Sequence, residues 1–294
     1  MTPKEKPRQS RLLAKIESSL STLSPNDRKI ADYLLSAFPH GAWATVETVA
    51  SDVRVSKAAV IRFSTRLGYE GFADLQREMQ QEVAGLFASP LTLLEARVPA
   101  REDDVFARGL DRAIENLHAS RGRGVAGPLI AAADAIAKCK GRIYVIGFRK
   151  SYALAYYARH MLNLILPNTL LVGQDDSPMP DSLFEITARD VVLAVSVRRY
   201  ASATIRALKH CRGRGAYVIT ISDSIVGPAA RASDSLIVAP CEGVSLFDSS
   251  VAIVFYIECM VNAVAAKCRQ GAVDRLAQAE ELAREFGVFE DTLK

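Results

Sequence analysis

The sequence predicts two domains of different class: an all-α N-terminal domain, then an α/β/α domain on a parallel five-stranded sheet. Three observations carry this. Apolar residues recur at helical spacing through residues 8–86, in five successive segments. From Val125 the pattern changes, and short runs that are apolar throughout alternate with helical stretches. Such strands belong to a parallel sheet covered on both faces. Between the two regions, Ala88–Arg101 holds Ser89-Pro90 and Pro99 and reads as a linker. The resulting bounds are 1–87 for the helical domain, 88–120 for linker and connecting helix, and 121–294 for the α/β domain.

The chain has 294 residues, 49% of them apolar and 24% charged, an ordinary globular composition. A net charge of +4 is too small to make the whole surface a polyanion binder. The positive charge is instead local. Lys4, Lys6, Arg8, Arg11 and Lys15 stand against Glu5, and Arg54–Arg66 carries four cations and no acid. Met1–Ser10 is polar and does not open as a signal peptide. The longest apolar run, Val251–Ala266, is broken by Glu258 and Asn262 and is shorter than a membrane span. A cytoplasmic protein without membrane contact is expected. The five cysteines include no C-x-x-C pair and read as free buried thiols, with no metal and no cofactor.

In order, Leu12, Ile16, Leu20 and Leu23 mark a first helix. Ser24-Pro25-Asn26-Asp27 starts a second: a Ser cap, a Pro at a position whose N–H is not needed, and an acid at the positive helix end. Its apolar face is Ile30, Tyr33, Leu34, Ala37 and Phe38, and Pro39-His40-Gly41 stops it. Then comes TVETVASDVRVSKAAVIRFSTRLGYEGFADLQ, residues 45–76. Thr45 caps a short helix whose face is Val46, Val49, Ala50 and Val53. Ser56 caps the next, with Val60, Phe63 and Leu67 turned inward, and Gly68 ends it in the left-handed region. Two helices around a tight turn, the second basic and small-residued, can enter a major groove of DNA. The candidate DNA-binding residues are Ser56, Lys57, Ala58, Ala59, Arg62 and Arg66. Cations meet phosphates, and small alanines allow close approach to base edges. A further helix begins near Phe72 with Leu75, Met79, Val83 and Leu86.

Residues 103–120 are helical again, with Val105, Leu110, Ile114 and Leu117, and Arg121-Gly122-Arg123-Gly124 breaks them. An Ala-rich helix after Val125 leads into strands at 142–148, 169–173, 190–196, 216–222 and 235–240. Helices lie between them at 151–166 and 201–211, with a short turn near Pro228 and a long final helix at 248–269. In a flavodoxin-like order, 142–148 and 190–196 are neighbours at the switch point, where ligands bind beyond the strand ends. Gly147, Arg149 and Ser151 follow the first strand, and Ser196, Arg198, Arg199 and Ser202 follow the third. With Glu242 after the last strand they form the candidate ligand-binding set. Hydroxyls, guanidinium groups and free helix N–H donors suit a phosphate monoester. The same hydroxyls could instead cap helices, with the arginines in solvent.

Val55-Ser56, Ile61-Arg62-Phe63, Leu67-Gly68-Tyr69 and Gly71-Phe72 resemble the helix-turn-helix of the RpiR family of bacterial transcriptional regulators. The strand-Gly-x-x-x-Ser of 143–151, the strand ending in Ser196, and the I-T-x-S strand before Pro228 resemble that family's SIS (sugar isomerase) domain. The resemblance implies a regulator, not an enzyme, that binds operator DNA and senses a sugar phosphate. The alternative is an aldose–ketose phosphate isomerase, for which Glu242 is the candidate base and His160 and His210 weaker ones. Where SIS domains commonly read S-x-S-G-x-T, this chain reads Ser196-Val197-Arg198-Arg199-Tyr200-Ala201. A homodimer or homotetramer is expected, because one helix-turn-helix covers too little DNA. Val251–Ala266 or Ser151–Leu166 is the expected subunit contact.

Overall fold

The computed structural model describes residues 16, 23–37, 40–87, 103–121, 124–173, 179–225, 227–244 and 247–289. The basic arm, most of the expected first helix, the 88–101 linker and Gly122-Arg123 lie outside the described residues. The chain forms two compact units: Met1–Arg112 with Glu242–Asp248, and Ala113–Cys241 with Ser249–Lys294.

In the first unit, α1 (Pro25–Ala37) and a 3-10 turn (His40–Trp43) precede α2 (Val46–Val53), α3 (Lys57–Arg66) and α4 (Phe72–Phe87). Ile30, Leu34, Val49, Val60, Phe63, Leu67, Phe72, Leu75 and Met79 are buried, as the helical spacing requires. Val46, read as part of the inner face, is only half-buried. Long polar side chains pin the turn between α1 and α2: Gln76 and Gln80 donate to the carbonyls of Ala44 and Ala42 at 2.8 and 3.1 Å.

Helix α5 (Asp103–Arg121) forms where the sequence reads a helix. Val105, Leu110, Ile114 and Leu117, the apolar positions that mark the helix in the sequence, are all exposed, as is Phe106, while Asn116 and Ser120 are buried. The helix therefore turns its polar side inward and leaves an apolar stripe exposed among the described residues.

The second unit runs α6 (Ala126–Ala137), β1 (Ile143–Ile146), α7 (Ser151–Ile165), β2 (Thr169–Leu171), α8 (Met179–Ser182), β3 (Val191–Val195) and α9 (Ser202–Gly213). It continues with β4 (Tyr217–Ser222), α10 (Pro228–Arg231), β5 (Ser235–Val238), α11 (Val251–Lys267) and α12 (Arg269–Glu285). All strands are parallel in the order β2-β1-β3-β4-β5, so β1 and β3 are neighbours as expected. The two-residue period splits the strands between two cores. Val191, Leu193 and Val195 join a cluster with Ala132, Ala155, Leu162, Tyr256 and Met260. Val192 and Ala194 join the other, with Ala207, Leu208, Cys211 and Ala229. Helices α7 and α9 thus cover opposite faces of the sheet, and their N-termini stand at its carboxyl edge.

The sequence reading ended the long helix near Arg269 and missed α12. The chain bends by 107° between α11 and α12. Arg275 ties α12 back to α7 by donating to the Asn163 carbonyl at 2.7 Å. Among the described residues no single helix is long and apolar enough to cross a membrane. The five cysteines are free. Burial pushes the Cys211 thiol up to about 12, so it stays protonated at neutral pH.

Candidate functional site

The first site is the α2–turn–α3 unit. Both predicted caps form: the Thr48 N–H donates to Thr45 Oγ1 at 3.1 Å, and the Ala59 N–H to Ser56 Oγ at 3.2 Å. Arg54 sits in the left-handed region (φ 59°, ψ 52°) and ends α2, with the Val55 N–H reaching the Ala50 carbonyl at 3.0 Å. Gly68 (φ 84°) closes α3 in the same way, through Tyr69 N–H to Ser64 O.

Helix α3 presents Ala58, Ile61, Arg62 and Thr65 outward, at i, i+3, i+4 and i+7. Ile61 is 45% exposed and was missed in the sequence, where it read as one more apolar position. An apolar side chain beside an arginine suits a thymine methyl next to a phosphate or guanine. The other candidates divide. Ser56 caps the helix, and Ala59 is buried, so its side chain offers no surface to a duplex. Lys57 pairs with Glu47 at 2.7 Å, and that hydrogen bond holds the Glu47 carboxyl below its usual range. Both ends are exposed, so salt and solvent screen the pair and Lys57 is readily released to a phosphate. Arg66 donates to the buried Asp27 carboxylate, which also accepts from Ser24 Oγ at 2.7 Å. Arg66 therefore locks α3 onto the capped start of α1.

A left-handed arginine costs roughly 1–2 kcal/mol, which a glycine would avoid at a flexibility cost of roughly 0.5–1 kcal/mol. Arg54→Gly should accordingly stabilise the chain by roughly 0.5–1 kcal/mol while lowering the salt slope of DNA binding by about one. Urea unfolding and affinity measured against salt check both halves. A destabilised variant, or an unchanged slope, would show that Arg54 is not a strained cation held for a phosphate.

The second site is the carboxyl edge of the sheet, where the loops after β1 and β3 lie side by side. A Cβ on Gly147 would stand 2.5 Å from the Ser151 carbonyl oxygen and 2.9 Å from Ala155 Cβ. Only glycine lets α7 start this close to β1. Ser151 is buried in the first turn of α7. After β3, Ser196 is 2% exposed, and its Oγ has no hydrogen-bond partner among the described residues. By alternation it lies on the Ala194 side of the sheet, towards α9. Helix α9 begins after Ala201, which supplies no side-chain cap, so its leading N–H groups are free of one. Ser202, the first residue of α9, is exposed. A buried bare hydroxyl beside an uncapped helix start fits an oxyanion.

Arg198 does something the spacing did not disclose. Its Nε donates to Asp223 Oδ2 at 2.8 Å, and the Tyr200 hydroxyl donates to Asp223 Oδ1 at 3.0 Å. The Asp223 side chain is 1% exposed and that of Arg198 20%. Burial, then the adjacent carboxylate, push the Tyr200 phenol far above its usual value, so it remains a donor. The Tyr200 ring also lies over Gly227, where a Cβ would come within 2.7 Å of its oxygen. These contacts fasten the β3–α9 loop to the end of β4. Ser222 adds a bond from its Oγ to the Ser196 carbonyl at 2.7 Å, and Thr220 accepts from Ser233 at 2.6 Å. The Thr220 and Ser222 hydroxyls of β4 are thus spent on the fold.

Arg149 and Arg199 remain exposed, with φ of 59° and 60°. Glu242, the remaining member of the candidate set, is buried.

Residues 10–85 match the helix-turn-helix domain of the rpiR family, and residues 135–263 match the SIS domain. An uncharacterized HTH-type transcriptional regulator of Caldanaerobacter subterraneus is 26% identical over 86% of this chain and 86% of its own. Another, from Haemophilus influenzae, is 22% identical over 77% of this chain and 79% of its own. The sugar isomerase domain of an RpiR transcription factor from Sphaerobacter thermophilus is 27% identical, with a TM-score of 0.56. It covers 60% of this chain and 97% of that one. The Vibrio vulnificus NanR protein complexed with ManNAc-6P has the same fold over 94% of this chain and 98% of its own. Its identity is 18% and its TM-score 0.52.

Proposed function

Because the chain belongs to the RpiR family of helix-turn-helix transcriptional regulators that carry a SIS domain, we propose that its sheet edge senses a phosphorylated sugar and alters operator binding. The DNA-binding domain is assigned to 1–87 and the sensor to 121–294, joined through 88–120. One observation carries the sensor reading: the buried Ser196 Oγ, without a partner among the described residues, in the loop that leads to the uncapped start of α9. A phosphate there would satisfy the hydroxyl and the helix N–H groups together. That ManNAc-6P is bound in the NanR structure supports the choice of ligand class. The isomerase alternative is the weaker reading, because the helix-turn-helix match and the transcriptional-regulator relatives favour a sensor.

Ligand titration by calorimetry tests this reading. Some sugar phosphate should bind, and Ser196→Ala should weaken it by about tenfold, the loss of one charge-assisted hydrogen bond. Equal affinity in the variant would remove Ser196 from the site.

We also propose that the chain works as a homo-oligomer in the cytoplasm. The support is the uncovered apolar stripe of α5 (Phe106, Leu110, Ile114 and Leu117), together with the outward Val251 and Phe255 of α11. Covering such part-exposed side chains contributes about 25 cal/mol per Å² of apolar area removed from water, which favours association of two copies. Light scattering at micromolar concentration should show a dimer or tetramer, and Leu110→Glu/Leu117→Glu should shift it towards monomer. A monomeric wild type would contradict the proposal.

A further inference from the structure

We propose that the crevice takes a ligand with two separate anionic groups: a phosphate at Ser196 and the start of α9, and a second oxyacid on Arg149 and Arg199. This rests on the sensor reading above and adds the chemical class of its ligand. The sequence offers three arginines at the two strand ends, and the structure removes one of them. Arg198 is committed through its Nε to the buried Asp223 carboxylate, inside a network that also ties down Tyr200. Its charge is balanced there.

Arg149 and Arg199 are different. Both are exposed, and neither has an ion-pair or hydrogen-bonding side-chain partner among the described residues. Both occupy the left-handed region, which arginine does not favour, and the only other non-glycine residue to do so among the described residues is Arg54. Glycine would relieve both loops, but the cation would go with it. Observed backbone strain of this kind gathers at ligand clamps and supports a functional hypothesis.

Their placement pairs them. β1 and β3 are hydrogen-bonded neighbours, from Ile143 with Val191 to Ile146 with Ala194, so their loops leave the sheet about 4.8 Å apart. Helices α7 and α9, which those loops feed, pack on opposite faces. The two arginines therefore flank the crevice at the switch point of the sheet, beyond the strand ends where ligands bind. A phosphate monoester at Ser196 meets neutral donors and a helix start. Two unpaired guanidinium forks at the mouth favour a further carboxylate or phosphate at the other end of the ligand.

The test uses matched pairs on the full-length chain: glucose 6-phosphate against 6-phosphogluconate, and fructose 6-phosphate against fructose 1,6-bisphosphate. Calorimetry should find the doubly anionic member of at least one pair about tenfold or more tighter. The pair that shows the gain says whether the second group is a carboxylate or a phosphate. In Arg149→Gly/Arg199→Gly, which suits the left-handed backbone and so keeps the loops, the affinity ratio within the pair should fall to about one. If monophosphates bind and the second acid adds nothing, the two-anion proposal falls and the sensor reading stands. The proposal also falls if the double variant keeps the advantage. If no member of either pair binds, the sensor reading falls and takes this proposal with it.

Discussion

Arg62→Ala should weaken operator binding by about 5- to 150-fold, corresponding to ~1–3 kcal/mol for one well-made arginine contact, with unfolding unchanged. The separation is possible because Arg62 lies on the outer face of α3 with Ala58, Ile61 and Thr65, while Val60, Phe63 and Leu67 hold the core. Only the Arg62 carbonyl is used locally, accepting from Thr65 Oγ1 at 2.9 Å. Arg66→Ala should behave differently, because Arg66 is the partner of the buried Asp27. It should lower stability, and affinity only as a consequence. Fluorescence anisotropy at moderate salt, with urea unfolding in parallel, distinguishes them. Unchanged operator affinity in Arg62→Ala would remove α3 from the groove.

The largest stability effect is expected at Asp223. Replacing it by Ala leaves the Arg198 charge partly buried beside a Tyr200 hydroxyl that has also lost its acceptor. Breaking a buried pair from one side costs ~3–5 kcal/mol, and the 20% exposure of Arg198 argues for the lower end. Asp223→Ala/Arg198→Met should recover much of that loss, because it removes the stranded charge and keeps the packing. Equilibrium urea unfolding measures the cycle. If the double variant is no more stable than Asp223→Ala, the loss lies in packing rather than in the uncompensated cation.

Local rules made most of the fold legible. Caps at Thr45 and Ser56, Gly68 at a helix end, and apolar runs alternating with helices all describe short-range physics, and each appears in the structure. What escaped depends on distance along the chain or on missing surfaces. Arg198 reads as a free fork beside Ser196 because Asp223 is 25 residues away. Arg66 reads as a DNA contact because Asp27 is 39 residues away. The exposure of the apolar face of α5 is not legible either, because the pattern states what wants covering, not what covers it. Helix α12 was lost behind the more apolar run before it, where Cys268 interrupts the helix without a glycine or proline to mark the break.

The central claim is that occupation of the Ser196 crevice changes how α3 holds DNA. A ligand can do this only if it favours one arrangement of the protein over another. The direct measurement is anisotropy of a duplex from upstream of the chain's own gene, titrated with protein in the absence and at saturation of a sugar phosphate that calorimetry shows to bind. The account predicts a shift of about fivefold or more in operator affinity, in either direction, that Ser196→Ala reduces at the same ligand concentration without altering affinity in its absence. Identical operator affinity with and without every phosphorylated ligand that binds would contradict it.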